Sequence, residues 1–244
     1  MTSVPPAMQV EAAPTDALSY RLIIVLAFVA GYVDAFGFVA LFGLFTAHVT
    51  ANFVLASANA VGYGQDPLIK LCALPAFVVG VAMAKLVVIF HTRRGTNPER
   101  SIYVIEAIFL CGLMMIGAAA SPLRAVDAKA TLVCGLLGAM AMGMQTAHGQ
   151  LVLHGHAPTT LMTQNLTQAV INAIEAVFAQ SSAARHQSTS RFWDTTCPVL
   201  GFSVGALLGA ISWVHASFFA LLFPVALLSI LALRAGTGPC AVGE

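Results

Sequence analysis

Asp34 is a carboxyl group in the middle of an otherwise apolar run, with Gly31 and Gly37 on either side. An ionised carboxylate at the centre of a membrane-spanning helix costs roughly 2.5–3.5 kcal/mol on insertion scales unless it is paired or hydrated. Two kinds of chemistry fit such a group: a structural ion pair, or a site that couples a proton or cation to movement across a membrane. The flanking glycines favour the second, because they loosen the helix and expose backbone carbonyls. Thr50 and Asn52 follow closely, and Gln145, Thr163 and Asn165 form a comparable set further along. Together these six are the candidate substrate or ion-binding residues. His48, Lys85, Glu106, Asn59 and Asn172 are secondary candidates.

The two sets belong to a doubled segment. Residues 31–43 read GYVDAFGFVALFG and residues 143–155 read GMQTAHGQLVLHG. A shift of 112 superimposes Gly31, Gly37 and Gly43 on Gly143, Gly149 and Gly155. After one inserted residue, a shift of 113 superimposes Thr46, Thr50, Asn52, Ala56 and Asn59 on Thr159, Thr163, Asn165, Ala169 and Asn172. A polar interruption repeated inside hydrophobic spans is the sequence pointer to a transporter-type site. Helical spacing gathers Asn52, Ala56 and Asn59 on one face and Asn165, Ala169 and Asn172 on the equivalent face. Such amides need hydrogen-bond partners, so each face should look at protein or water. Interhelical bonding and substrate contact both meet that demand, and the two readings stay open here.

The elements that must carry these residues follow from composition. The chain is 59% hydrophobic and 9% charged, with a mean hydropathy of +0.87, whereas a soluble domain carries roughly 25% charged residues. Lipid is therefore its solvent. Six segments are long and apolar enough to span a bilayer, at about 20–43, 67–91, 102–120, 126–147, 195–214 and 216–234. Residues 46–62 and 158–179 are helical in pattern but too polar to face lipid, and Pro158 suits a first helical turn. The expected fold is all-α, with about six transmembrane helices and two shorter polar helices that are re-entrant or half-length. Residues 1–19 read as a disordered leader without a basic n-region, 20–234 as one transmembrane domain, and 235–244 as a short tail.

The domain divides into repeats at about 20–121 and 126–234. Phe77-Val-Val-Gly80 and Phe202-Ser-Val-Gly205 match, followed at equal spacing by Ala84 and Gly209. These small-xxx-small pairs read as helix-packing positions. If the polar helices do not cross, six spans with a cytoplasmic N-terminus place Arg21, Arg93, Arg94, Arg100, Arg185, Arg191 and Arg234 inside and Lys70, Arg124 and Lys129 outside, and the halves are inverted, 3+3. If both cross, eight spans form parallel halves, 4+4, with the same seven-to-three count. The basic loop around Arg93, Arg94 and Arg100, together with the polarity of the two intervening helices, favours six.

AGYVDAFGFVALFGLFTAHVTAN resembles the opening signature of the YoaK-like family of bacterial membrane proteins, a domain-of-unknown-function family. Gly31, Asp34, Gly37, Gly43, Thr50 and Asn52 match that signature, and Ala51 stands where the family has glycine. GMQ at 143–145 and TTLMTQNLT at 159–167 continue the likeness. The resemblance implies a polytopic inner-membrane protein without an assigned substrate.

Several classes are not expected. The net charge of +1 and the absence of basic blocks argue against a nucleic-acid partner. The five cysteines are scattered singly, and the spacing of His148, His154 and His156 lacks a nearby acidic or cysteine ligand, so neither a metal nor a cofactor is expected. Those histidines read as interfacial and hydrogen-bonded. Lys85 reads as a snorkelling or paired lysine, and Glu106 as interfacial. No nucleophile, P-loop or Rossmann motif is present, so no enzyme activity is expected. The functional expectation is a small secondary transporter or permease in the bacterial inner membrane, handling a small molecule or ion. The alternative is a non-transporting scaffold or assembly partner. A homo-oligomer is compatible with either.

Overall fold

The protein was analysed as a computed structural model that describes residues 17–63, 67–123, 128–153, 159–160 and 162–236. Residues 1–16, Arg124, His154, His156, Pro158 and residues 237–244 lie outside the described residues. The described residues form α1 (Ala17–Ala40), α2 (Ala51–Ala60), α3 (Pro67–Arg93), α4 (Glu99–Ala119), α5 (Ala128–Leu151), α6 (Met162–Phe178), α7 (Ser182–Ala216) and α8 (Leu222–Arg234), with a 3₁₀ turn, Ser217–Leu221, between α7 and α8.

Five stretches are long and apolar enough to cross a membrane. The last, Ser182–Arg234, is 53 residues and breaks at Ser217, where φ is 50°. Its second arm, the 3₁₀ turn plus α8, is about 30 Å long, enough to cross a hydrocarbon core of about 30 Å. This is a multi-pass membrane protein. The seventh helix starts well before the expected residue 195. Ser181 caps it, its side chain accepting from the Ala184 N–H at 3.2 Å, and its polar opening turns are exposed. A helix does not stop at the apolar boundary when a cap further out satisfies its first donors.

Helix directions follow from which residues share a level. Ile23, Leu26 and Val33 of α1 pack with Ala141 and Met142 of α5, Tyr103 of α4 and Leu228 of α8. Phe36 and Leu44 pack instead with Cys134, Leu113, Ala73, Phe218 and Leu221. Moving up α1 therefore means moving up α4, and down α5 and α8. Ala84, Ile102, Met144 and Ala147 share a third cluster, which sets α3 alongside α5. Ile24, Phe28 and Tyr32 of α1 meet Gly201, Gly205 and Gly209 of α7 in rising order, so those two helices are parallel. α1, α4 and α7 run one way; α3, α5 and α8 run the other.

The tightest crossings are built on glycine. A methyl group on Gly31 would overlap the Phe202 carbonyl, and one on Gly205 would overlap the Phe28 carbonyl. At the other crossing, Gly143 lies against the Phe77 carbonyl and Gly80 against the Met140 carbonyl. Ala84 is fully buried beside Met144, and Gly209 abuts the Tyr32 carbonyl. Lipid supplies no hydrophobic force between helices, so close backbone approach holds such pairs together.

The polar helices differ from the spans. α2 has 10 residues, about 15 Å, half of a bilayer core. α6 has 17 residues and buries Asn165, Ala169 and Asn172 against α7 while exposing Leu166, Val170, Ile174 and Val177. α2 likewise buries Asn52 and Ala56, with Asn59 half-buried, against α3.

Because backbone at the crossings cannot yield, Gly31→Ala and Gly205→Ala are each expected to destabilise the protein by about 1–3 kcal/mol. Gly112→Ala, which meets only the end of the Leu137 side chain at 3.2 Å, is the control. Thermal unfolding in detergent checks this; equal melting of all three variants would refute it.

Candidate functional site

Asp34 lies buried near the end of α1. The chain reverses just beyond it at Phe42 and Gly43, whose φ angles are 55° and 80°, a conformation glycine adopts freely and phenylalanine does not. That reversal brings residues 45–48 back onto the helix. Asp34 Oδ1 accepts hydrogen bonds from the N–H groups of Thr46 (2.8 Å) and Ala47 (2.7 Å), with His48 N–H further off at 3.4 Å. Oδ2 lies 2.7 Å from His48 Nδ1. The carboxylate thus sits in a nest of backbone donors and is paired with His48 rather than with Lys85, which is exposed. The Thr46 methyl fills the gap between Gly37 and Gly138, either of which would collide with it if it carried a Cβ. These glycines admit a folded-back loop rather than a ligand.

Asn52 works in the same way. Its Oδ1 accepts from the Phe45 N–H at 3.0 Å and its Nδ2 donates to the Phe45 carbonyl at 2.8 Å, so one side chain satisfies both backbone groups of a residue. Thr50 is exposed and makes no cap bond, and Thr163 is exposed. The shift of 112 sets Thr146 opposite Asp34. Its hydroxyl donates to the Met142 carbonyl at 2.8 Å and pairs with the Thr160 hydroxyl at 3.1 Å, so hydroxyls stand in the second half where a carboxylate stands in the first. Asn165 is buried on α6.

The six primary candidates do not converge. Gln145 donates through Nε2 to the Leu26 carbonyl, two turns along α1 from Asp34. It belongs to a different cluster. Tyr103 and Glu106 lie one turn apart on α4, and Gln145 and His148 one turn apart on the antiparallel α5. The Tyr103 and His148 rings meet edge-on, 5.1 Å between centroids. All four residues are at most 1% exposed. Among the described residues, the Tyr103 hydroxyl, both Glu106 oxygens, Gln145 Oε1 and both His148 nitrogens have no hydrogen-bond partner. A buried polar atom without a partner costs about 1–3 kcal/mol, which makes these four side chains the candidate site.

Two sequence expectations are corrected here. Glu106 is not interfacial; it is fully buried on α4, which packs against α5 and α8. His148 is not interfacial: it is fully buried about a turn inside the end of α5, edge-on to Tyr103, and has no hydrogen-bond partner among the described residues. Tyr103 was not singled out at all, although its place three residues before Glu106, like that of His148 three after Gln145, is the helical spacing that puts two groups on one face. Glu175 is exposed. The apolar groove between α4 and α8, lined by Val104, Ile108, Met115 and Leu233, contains no member of the cluster.

Comparison with known proteins adds one decisive finding: residues 22–234 match the family model described as "Protein of unknown function (DUF1275)". The chain belongs to this family. That assignment agrees with the YoaK-like resemblance and runs from residue 22, within α1, to the end of α8. No curated protein and no solved structure matches the chain.

The Asp34–His48 latch should make stability depend on pH. The hydrogen bond to Asp34 raises the His48 pKa above its ordinary 6.5, charge attraction adds to the rise, and desolvation opposes it. The contribution is therefore complete below about pH 6.5 and is lost as the pH climbs through the raised folded-state value. His48→Gln is expected to flatten this decline, and Asp34→Asn to lower stability by about 1–3 kcal/mol. Melting temperatures across a pH series provide the check, and parallel declines in wild type and His48→Gln would exclude the pair as the cause.

Proposed function

We propose that this protein is a small secondary transporter or permease of the bacterial inner membrane, built from two inverted three-span halves, with its polar site where the halves meet. The observation that carries the reading is the cluster of unpartnered polar atoms at the α4–α5 contact. Tyr103 and Glu106 come from the first half, Gln145 and His148 from the second. Transporters of inverted-repeat design keep their sites at such a junction.

The opposed directions of α1 and α5, and of α3 and α7, support inversion. So does the exchange of partners at the glycine crossings: Gly31 on Phe202 and Gly205 on Phe28 become Gly143 on Phe77 and Gly80 on Met140 when the halves are swapped. With six crossing segments, α2 and α6 lie beside the spans without reversing the chain, and the basic α3–α4 loop falls on the cytoplasmic side together with the N-terminus. Asp34 and Asn52 act as loop anchors in this scheme, while Glu106 and Gln145 carry the substrate or ion. The scaffold reading keeps a specific footing in those anchors, since backbone clamping explains the duplicated Asn and Thr without any ligand.

Two measurements test the proposal. Reporters placed in 62–66 and in 180–193 should report opposite faces of the membrane; a common face would support eight spans and parallel halves. In a cysteine-free background, Gln145→Cys and Thr146→Cys should react with a small water-soluble thiol reagent. Silence at both positions in folded protein would favour the scaffold.

A further inference from the structure

We propose that the groove between α4 and α8 binds one anionic phospholipid, with an acyl chain along the groove and the phosphate at Arg100. The inference stands apart from the transport reading, because it needs only that these helices lie in a membrane.

The groove follows from helical spacing and side-chain size. Val104, Ile108, Cys111 and Met115 recur at i, i+4, i+7 and i+11, which places them on one face of α4. Ala107 and Ala232, both buried, line the space between the two helices with single methyl groups. A volume of about 630 Å³ stays open there, within the range of roughly 300–1,000 Å³ typical of small-molecule sites. Val104, Ile108 and Met115 are 42%, 60% and 67% exposed, so the groove opens on the outside of the bundle, where the neighbour is lipid. From Arg100 to Met115 it runs about 22 Å along α4. One leaflet's share of the hydrocarbon core is about 15 Å, so a single acyl chain fits its length.

Charge selects the lipid. Among the described residues Arg100, at the start of α4, is the one charged side chain lining the groove. Arg234 ends α8 directly after Leu233, another lining residue. Arg21 belongs to the same end, since Leu22 and Ile23 pack with Ala232 and Ala235. All three arginines are exposed, and none forms an ion pair among the described residues. Glu99, the adjacent acid, is half-buried and accepts from the Asn97 side chain at 3.4 Å. The far end of the groove, at Met115 and Val225, carries no charge. Depth agrees with this polarity. Beside Arg21, the Tyr20 hydroxyl donates to the Trp193 carbonyl at 3.0 Å, and such aromatic residues sit at the level of lipid headgroups. An apolar trough with cations at one end matches a molecule with apolar chains and one anionic head. A zwitterionic head brings its own cation to the arginines and loses the advantage.

The test is native mass spectrometry of the full-length protein, titrated in detergent with dioleoyl phosphatidylglycerol or dioleoyl phosphatidylcholine. The two lipids share their chains and differ in the head. The first phosphatidylglycerol adduct should form at a lipid concentration lower by about tenfold. Arg100→Gln should reduce that preference by about fivefold. Arg191→Gln, which removes an exposed arginine of α7 outside the groove, should leave it unchanged. Ser229→Trp places an indole in the trough and should weaken the first adduct of both lipids, which keeps the proposal falsifiable if Arg100→Gln misfolds. Glycerol phosphate, a head without chains, should not displace phosphatidylglycerol. Equal adducts of the two lipids, a preference intact in Arg100→Gln, or binding untouched by Ser229→Trp would overturn the proposal. So would displacement by glycerol phosphate, the mark of a free-anion site, or a lipid-free dimer, in which a second copy fills the groove.

Discussion

Everything in this bundle depends on backbone lying directly on backbone at two crossings. Where Gly31 and Gly205 bring α1 onto α7, and Gly143 and Gly80 bring α5 onto α3, carbonyl groups occupy the space that a side chain would need. In lipid such contact supplies what the hydrophobic effect supplies in water. These crossings leave α4 and α8 to close the bundle against α1 and α5. The level at which each polar residue meets its neighbours follows from them. Moving a crossing by one turn would carry Gln145 away from the Leu26 carbonyl and His148 away from Tyr103.

Inside that frame the two kinds of polar group meet opposite fates. Asp34 and Asn52 are fully used: every strong bond they make is to the backbone or to His48, and the result is a short loop folded back between Gly37 and Gly138. Glu106, Gln145, Tyr103 and His148 are underused: half or more of their side-chain polar atoms have no hydrogen-bond partner among the described residues. Native interiors rarely leave such atoms idle. Satisfied groups stabilise; unsatisfied ones are available to a ligand. That contrast separates architecture from function here better than the rarity of a charge within a span.

Much of the fold was legible in the sequence because lipid enforces simple rules. Apolar length located α1, α3, α4 and α5, and the Phe-x-x-Gly likeness identified the packing glycines at 80 and 205. The polar faces at Asn52 and Asn165 are buried as helical spacing requires. The site was less legible. Asp34 drew attention because a lone carboxylate in a span is costly, but its three backbone donors come from a loop whose path depends on two positive φ angles, and no local pattern announces that. The cluster was missed as a cluster because its members lie on two helices joined only by their antiparallel packing. Glu106 and Gln145 were each noted alone. Charge did not choose between six and eight crossings, since both topologies gave one count.

The exchange of Asp34 for Thr146 reaches beyond the loop it anchors. Because α1 and α5 are antiparallel, these equivalent positions hold loops at opposite ends of the bundle. One end is fastened by a carboxylate and a histidine, and the counterpart of His48 under the repeat shift is Leu161. The other end is fastened by two hydroxyls, Thr146 and Thr160, that do not titrate. The two loops are thus fastened by different chemistry. A change of pH acts on the Asp34–His48 fastening and leaves the Thr146–Thr160 pair untouched, so one loop has a titratable hold that the other pair lacks.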